Sequence, residues 1–525
     1  MKRREVIKGL AILPLSGVVG SASAKAAFEA TNKDAVKVSN SIYERIGVKP
    51  LINARGTVTV VGASQVLPEV QKAMDDAVRE YVQLDELMDG VGARLAELTG
   101  AEYGCITSGA SAAVTAGTAG CVTGGDPDKI WMIPNVTGMK DEVVIPAYSR
   151  TAYDAGAKAV GVRMIEVSTL EQLKLAVGPR TAMILILAGS QSEKGELSIA
   201  AISSVVKPLG VPILVDAAAE GLEVPNPHLS QGADLVAYSG GKYLRGPQCA
   251  GLLIGRKDLI LAARMNTGPH HGFGRGYKVG REEIMGMLTA VEMWFKRDHA
   301  AEWKTWVSWA NHIAKRLNTI QGVTTLLQEP KARSNRAPSL EVSWDIAVIP
   351  LTGEDVEGLL WNGTPRIAVS GAGSFLPFPP NLKPNISIAT TSLQAGEEKV
   401  IAERVYAILS KPPAIKRAAG APAGNISGQW DLKMKFPGST VAQTWFIEQQ
   451  ESALLGTHVA SIGARDLKGT LHGNAVVIRS SYTKEGVRIN YLFTGFVEGN
   501  TMHGEVSLSE YGNCEWTASR HGLAV

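Results

Sequence analysis

Tyr238-Ser239-Gly240-Gly241-Lys242-Tyr243-Leu244-Arg245-Gly246 holds a lysine between a Ser-Gly-Gly turn and a second turn at Gly246-Pro247, and the apolar run Ala250-Gly-Leu-Leu-Ile-Gly255 follows it. Upstream lies Pro212-Ile-Leu-Val-Asp216, a buried-strand pattern with an acid at its C-terminal tip. Pyridoxal phosphate requires both features. Its aldehyde needs a lysine amine for a Schiff base, and its pyridine nitrogen needs a carboxylate to keep a proton there, since the protonated ring is the better electron sink. Lys242 and Asp216 match those two roles. Plainer readings exist, because most lysines are solvated surface charges and a strand-end Asp often caps the next helix.

A second stretch supports the cofactor reading. Tyr103-Gly-Cys-Ile-Thr-Ser-Gly-Ala-Ser111 reads as a strand, a small-residue turn and the start of an Ala-rich helix. Such a turn leaves free backbone N–H groups at a helix N-terminus, which suits a phosphate. The expected cofactor-binding set is Ser108, Gly109, Ala110, Ser111, Asp216, Ser239 and Lys242, with Lys242 also catalytic.

From about Leu51 to Glu292 the chain resembles fold-type I pyridoxal-phosphate enzymes, in the group of bacterial selenocysteine synthase (the seryl-tRNA selenium transferase) and D-glucosaminate-6-phosphate ammonia-lyase. The matching segments include Ile52-Asn-Ala-Arg-Gly-Thr57, Leu98-Thr-Gly-Ala-Glu102, Thr107-Ser-Gly-Ala110, Val215-Asp-Ala-Ala-Ala-Glu220, Ser239-Gly-Gly-Lys242, Arg245-Gly-Pro-Gln248 and Tyr277-Lys-Val-Gly-Arg-Glu-Glu-Ile284. The resemblance implies an aminotransferase-like α/β fold, with a mainly parallel sheet domain and a smaller α+β domain. It implies a pyridoxal 5'-phosphate enzyme acting on a small amino substrate, an amino acid or amino-sugar acid. The implied chemistry is α,β-elimination or β-replacement through a quinonoid and an aminoacrylate. Racemase or aminotransferase chemistry on the same scaffold stays open, as does a non-catalytic exported binding protein. Asn53, Arg55, Arg245, His271 and Arg275 fall in segments that the family places near the substrate. A homodimer or higher homo-oligomer is also implied. Two departures bear on the substrate. Ser149-Arg150 stands where the family often has His-Arg, and Asn385 stands where an arginine for the substrate carboxylate is common.

The 525 residues are too many for one ordinary domain. A net charge of +3 implies no nucleic-acid field and argues against tRNA as substrate. Four cysteines show no metal spacing, and His270-His271 lacks a completing carboxylate pair, so no metal is expected. Lys2-Arg-Arg4, an apolar run to Val19 and Ala22-Ser-Ala24 read as a signal peptide over residues 1–24. Arg3-Arg4 resembles the twin-arginine motif, which predicts a periplasmic or secreted protein with no membrane contact after cleavage. Alternating strand and helix patterns place the large domain at 41–300 and the small one at 301–411, followed by a Pro/Gly linker at 412–425. Residues 426–525 alternate apolar and polar residues between turn signals, predicting an all-β barrel or sandwich of about seven or eight strands. Its aromatics Trp430, Trp445, Tyr491, Phe493, Phe496 and Trp516 are expected in its core.

Overall fold

The computed structural model describes residues 41–371, 383–415 and 418–522. The signal-peptide segment, with Arg3, Arg4 and Ala22-Ser-Ala24, lies outside them.

Seven strands form the central sheet, in the spatial order Tyr103–Thr107, Gly251–Gly255, Leu235–Ser239, Ile213–Asp216, Thr181–Leu187, Glu142–Pro146 and Arg163–Val167. All neighbours are parallel except Gly251–Gly255, which runs antiparallel to both of its partners. The strands read as near-continuous apolar runs because both faces are covered by helices. The helix Ala110–Thr123 is buried on nearly every side, which explains its Ala, Gly and Thr composition. Helix ends follow local chemistry. Ser198 caps Ile199–Val206 by accepting from Ala201 N–H. The helix Pro68–Ala77 begins where it does because Leu67 is extended and Pro68 fixes the first turn.

A second body holds a four-stranded antiparallel sheet and the helices His299–Leu317, Gly353–Trp361 and Glu397–Ser410 around its own apolar cluster. Leu51–Asn53, assigned from sequence to the large domain, pairs with Arg366–Ala368, and Ala54 packs in this second cluster. Sequence periodicity marks a strand but not its partner.

The C-terminal module is a closed barrel of eight antiparallel strands, from Gly428–Lys435 to Asn513–Arg520. Closure removes both sheet edges. Trp430, Trp445, Phe493 and Trp516 fill it, each at most 1% exposed. Phe496 departs from expectation and is 50% exposed, because it falls on the outward side of its strand. The Pro/Gly connection is not wholly free of packing. Ala423 N–H donates to Gly473 O, and Gly473 N–H donates to Ala421 O.

Candidate active site

The candidate site lies at the C-terminal ends of the parallel strands, where ligands of open α/β sheets bind. Gly251 is the hinge of its geometry, paired on one side with Thr107 and on the other with Ser239. The antiparallel strand therefore sets Ser239 in the same row as the end of Tyr103–Thr107, where the turn Ser108–Ser111 begins. Gly109 caps the following helix with φ +97°, a conformation that L side chains rarely adopt. Apart from its chain neighbours, no atom of the described residues lies within 4 Å of where its Cβ would stand, so this side of the turn is open. The first-turn N–H groups of Ala110, Ser111 and Ala112 have no intrahelical acceptor. The Ser108 hydroxyl is directed elsewhere and donates to Tyr277 O at 3.0 Å.

Asp216 ends its strand almost fully buried, and its Oδ1 accepts from Ala218 N–H at 3.0 Å. Burial pushes its carboxyl pKa up, against the pull of that N–H and of Lys242. Burial pushes the Lys242 amine down, while Asp216 draws it up. A carboxyl starved of water is a strong partner for a protonated ring nitrogen, and an amine with a lowered pKa is more readily neutral and nucleophilic. Beneath Asp216, Glu220 is held by His228 Nε2 at 2.7 Å and by Ser334 O–H at 2.7 Å. Ser334 comes from the second body, so this contact ties the two bodies together behind the site.

Lys242 opens into a cavity of about 440 Å3 between the two bodies. Arg245, Arg297, Trp306, Trp309, Thr391 and Ser392 are among its walls. Arg245 donates through Nε to Gln65 O. Burial first, and then the neighbouring Arg297, lower its pKa against the pull of Glu302 and Glu69. Arg297 donates to Tyr243 O, the residue after Lys242, and pairs with Glu302 at 2.8 Å. Burial would raise the Glu302 carboxyl, but hydrogen bonds from His299 and Arg297 outweigh it and bring the pKa down to about 2.

The remaining sequence candidates lie elsewhere. Asn53 is engaged by its own loop, accepting from the N–H groups of Arg55 and Gly56 and donating to Gly56 O and Ala63 O. Arg55 faces Glu357 at 3.9 Å. His271 and Arg275 are exposed on the loop that reaches Ser108 through Tyr277, and neither lines the Lys242 cavity. Ser149 is buried and accepts from Leu187 N–H, while Arg150 pairs with Asp154 and Glu166. Asn385 pairs with Ser343 in the small sheet. The cavity walls at Arg297, Trp306 and Trp309 were missed from sequence. The three-residue spacing of Trp303, Trp306 and Trp309 just after Asp298 was the available signal. Among the described residues, no three His, Cys, Asp or Glu side chains gather as a metal site.

A model of the Cys/Met metabolism PLP-dependent enzyme family matches residues 76–272. D-glucosaminate-6-phosphate ammonia lyase of Salmonella typhimurium is 31% identical over 333 residues, covering 62% of this chain and 87% of the relative. The chain belongs to this family of pyridoxal-phosphate-dependent lyases and transferases. Other members are similar over less of their length. A 5'-C-glycyluridine monooxygenase-decarboxylase of a Streptomyces species is 30% identical, with 54% of this chain and 72% of the relative covered. An L-seryl-tRNA(Sec) selenium transferase of Rhizobium meliloti is 29% identical, with 56% and 63% covered. A solved D-glucosaminate-6-phosphate ammonia-lyase structure superposes with a TM-score of 0.61 at 28% identity, over 71% of this chain and all of that one.

The family's cofactor is pyridoxal 5'-phosphate. The residues present fit it: an open glycine turn at a helix N-terminus for the phosphate, a buried acid for the ring nitrogen, and a lysine at the cavity.

Proposed function

We propose that this enzyme acts on an amino acid or amino-sugar acid by α,β-elimination or β-replacement, and that it works outside the cytoplasm. The observation carrying the substrate class is the convergence of Lys242, Arg245 and Arg297 on one cavity. Glu302 already takes both prongs of Arg297, so Arg245 is the guanidinium there that suits an acidic substrate, bound through carboxylate or phosphate. The ammonia-lyase relative, whose name specifies an amino-sugar acid phosphate, points the same way.

When bound, pyridoxal phosphate supplies an aldehyde that joins an amine and a ring that draws electrons from the substrate Cα. The chain's own groups do the rest. The helix at Ala110 and the Ser239 row would hold the phosphate, and Asp216 would keep a proton at the ring nitrogen. The Lys242 amine would take the proton from the substrate Cα and could return one to the leaving group. Trp306 and Trp309 narrow the cavity and limit water.

The test is to supply the purified protein with cofactor and screen amino acids and amino-sugar acids. Release of ammonia and a 2-oxo acid, or a β-replaced product, is the expected outcome. Racemisation alone, or amino transfer to an oxo acid, would replace this reading.

The location rests on Arg3-Arg4 and Ala22-Ser-Ala24. Changing both arginines to lysine should leave precursor in the cytoplasm, and normal export of that variant would exclude the twin-arginine route. A homodimer is proposed from the family resemblance, and sedimentation at working concentration as a monomer would oppose it.

A further inference from the structure

The barrel carries a charge that its interior does not balance. Arg465 sits on an inward position of the strand Gly463–His472 and is 6% exposed. Its Nε, Nη1 and Nη2 atoms are all buried, and none has a hydrogen-bond partner among the described residues. Its guanidinium carbon lies 4.5 Å from the Tyr491 ring centroid and 5.6 Å from that of Tyr482. Those ring faces favour a cation but cannot accept the in-plane N–H groups.

The neighbours do not neutralise it. Across the barrel wall Arg465 pairs in register with His458, and His458 with Trp445. His458 is fully buried between Gln443 Oε1 at its Nε2 and Ser480 Oγ at its Nδ1. Since the Gln443 oxygen only accepts, Nε2 carries the proton and Nδ1 accepts from Ser480. His458 is therefore neutral, its pKa pushed down to about 3 by burial and then by Arg465. Trp445 Nε1 is a further buried donor with no acceptor among the described residues. Donors and one full positive charge thus collect at this end of the barrel, and no carboxylate among the described residues pairs with Arg465. A buried charge and unmet donors are costly unless a counter-group arrives.

We infer that this end of the barrel is a binding site for a small organic carboxylate, held by Arg465. A carboxylate offers two coplanar acceptors to the guanidinium fork and carries the single negative charge that a lone arginine balances. A dianion would leave net negative charge in an aromatic interior. The ligand is small, because Trp430, Trp445, Phe493 and Trp516 already fill the barrel next to it. Entry is by opening of the short hairpin end near Arg465 at Ser461-Ile462, because the neighbouring hairpin at Glu485-Gly486 is held against Lys158 and Arg150. This site is separate from the Lys242 cavity, and its existence does not depend on the reaction proposed above.

The experiment uses the full-length mature protein with its cofactor, titrated with acetate, butyrate and inorganic phosphate at constant ionic strength. Hydrogen exchange is followed by mass spectrometry. The expected result is saturable carboxylate-dependent protection of Ala453–Ala460, Gly463–His472 and Ala475–Lys484, at least tenfold weaker in affinity in Arg465→Met. No saturable protection of these strands in the wild type overturns the inference. So does unchanged affinity in Arg465→Met, or protection confined to the Lys242 cavity. Tighter binding of phosphate than of either carboxylate overturns the ligand class. If Arg465→Met does not fold, Arg465→Lys keeps the charge without the fork, and its affinity must still fall. The wild-type exchange map locates the site without any variant.

Discussion

A Cβ added to Gly251 would stand 2.4 Å from the carbonyl carbon of Gly109, so the phosphate-turn candidate rests directly on the antiparallel strand Gly251–Gly255. This approach leaves no room for a side chain. Gly251→Ala must push the Gly109 turn outward. The expected cost is about 1–3 kcal/mol of stability, with at least about tenfold weaker cofactor binding, roughly 1.4 kcal/mol. Cofactor titration by absorbance and thermal unfolding measure both.

Lys242→Ala should abolish the covalent link to the cofactor while leaving the fold intact, because the side chain is only partly buried. Borohydride reduction and peptide mapping should locate the pyridoxyl group on Lys242 in the wild type and nowhere in the variant. Turnover should fall by about 10²–10⁴-fold, the range for a lost proton-transfer group. An adduct on another lysine removes Lys242 from the catalytic role.

Arg245→Met tests the substrate assignment. Hydrogen bonds to a charged group contribute about 1.5–3 kcal/mol, so KM for an acidic substrate should rise roughly ten- to hundredfold. Cofactor binding should persist, because the phosphate candidates Gly109 and Ala110 lie on another turn. An unchanged KM assigns Arg245 to structure through its bond to Gln65 O.

The barrel meets the large body through the hairpin at Glu485-Gly486, and Arg479 on its wall faces Glu354 of the second body at 3.7 Å. Glu485 pairs with Lys158 at 2.9 Å and faces Arg150 at 3.5 Å, and a Cβ on Gly486 would meet the Arg150 carbonyl carbon at 2.4 Å. Both residues have positive φ, as a two-residue type I′ hairpin turn requires. Arg150 keeps Asp154 and Glu166 without the barrel. A chain ending near Pro413 should therefore retain cofactor and its oligomeric state, read by absorbance and sedimentation. Loss of cofactor would make the barrel a wall of the enzyme.

His458 makes barrel stability pH-dependent. Its folded pKa of about 3 lies below the ordinary value of 6.5. Between those values the unfolded chain binds a proton that the folded barrel does not, so stability falls as pH falls through this window. The slope is at most about 1.4 kcal/mol per pH unit. Exchange protection of Ala453–Ala460 should show it, and His458→Gln should lessen it.

The sequence alone determined the local chemistry. Lys242 between two glycine turns, Asp216 at a strand tip and the Ser108–Ser111 turn are set by residue type over a few positions, which is the range over which turn and strand patterns act. Alternation in residues 426–525 likewise fixed an all-β module. Only the tertiary structure decided what meets what. It placed Gly251 between Thr107 and Ser239, brought Arg245, Arg297 and Thr391 to one cavity, and turned Asn53 into its own loop. It closed the barrel and isolated Arg465 inside it. A periodic pattern tells which face of a strand is buried, but not which strand it will pair with. Pairing is settled by packing and charge across segments far apart in the chain.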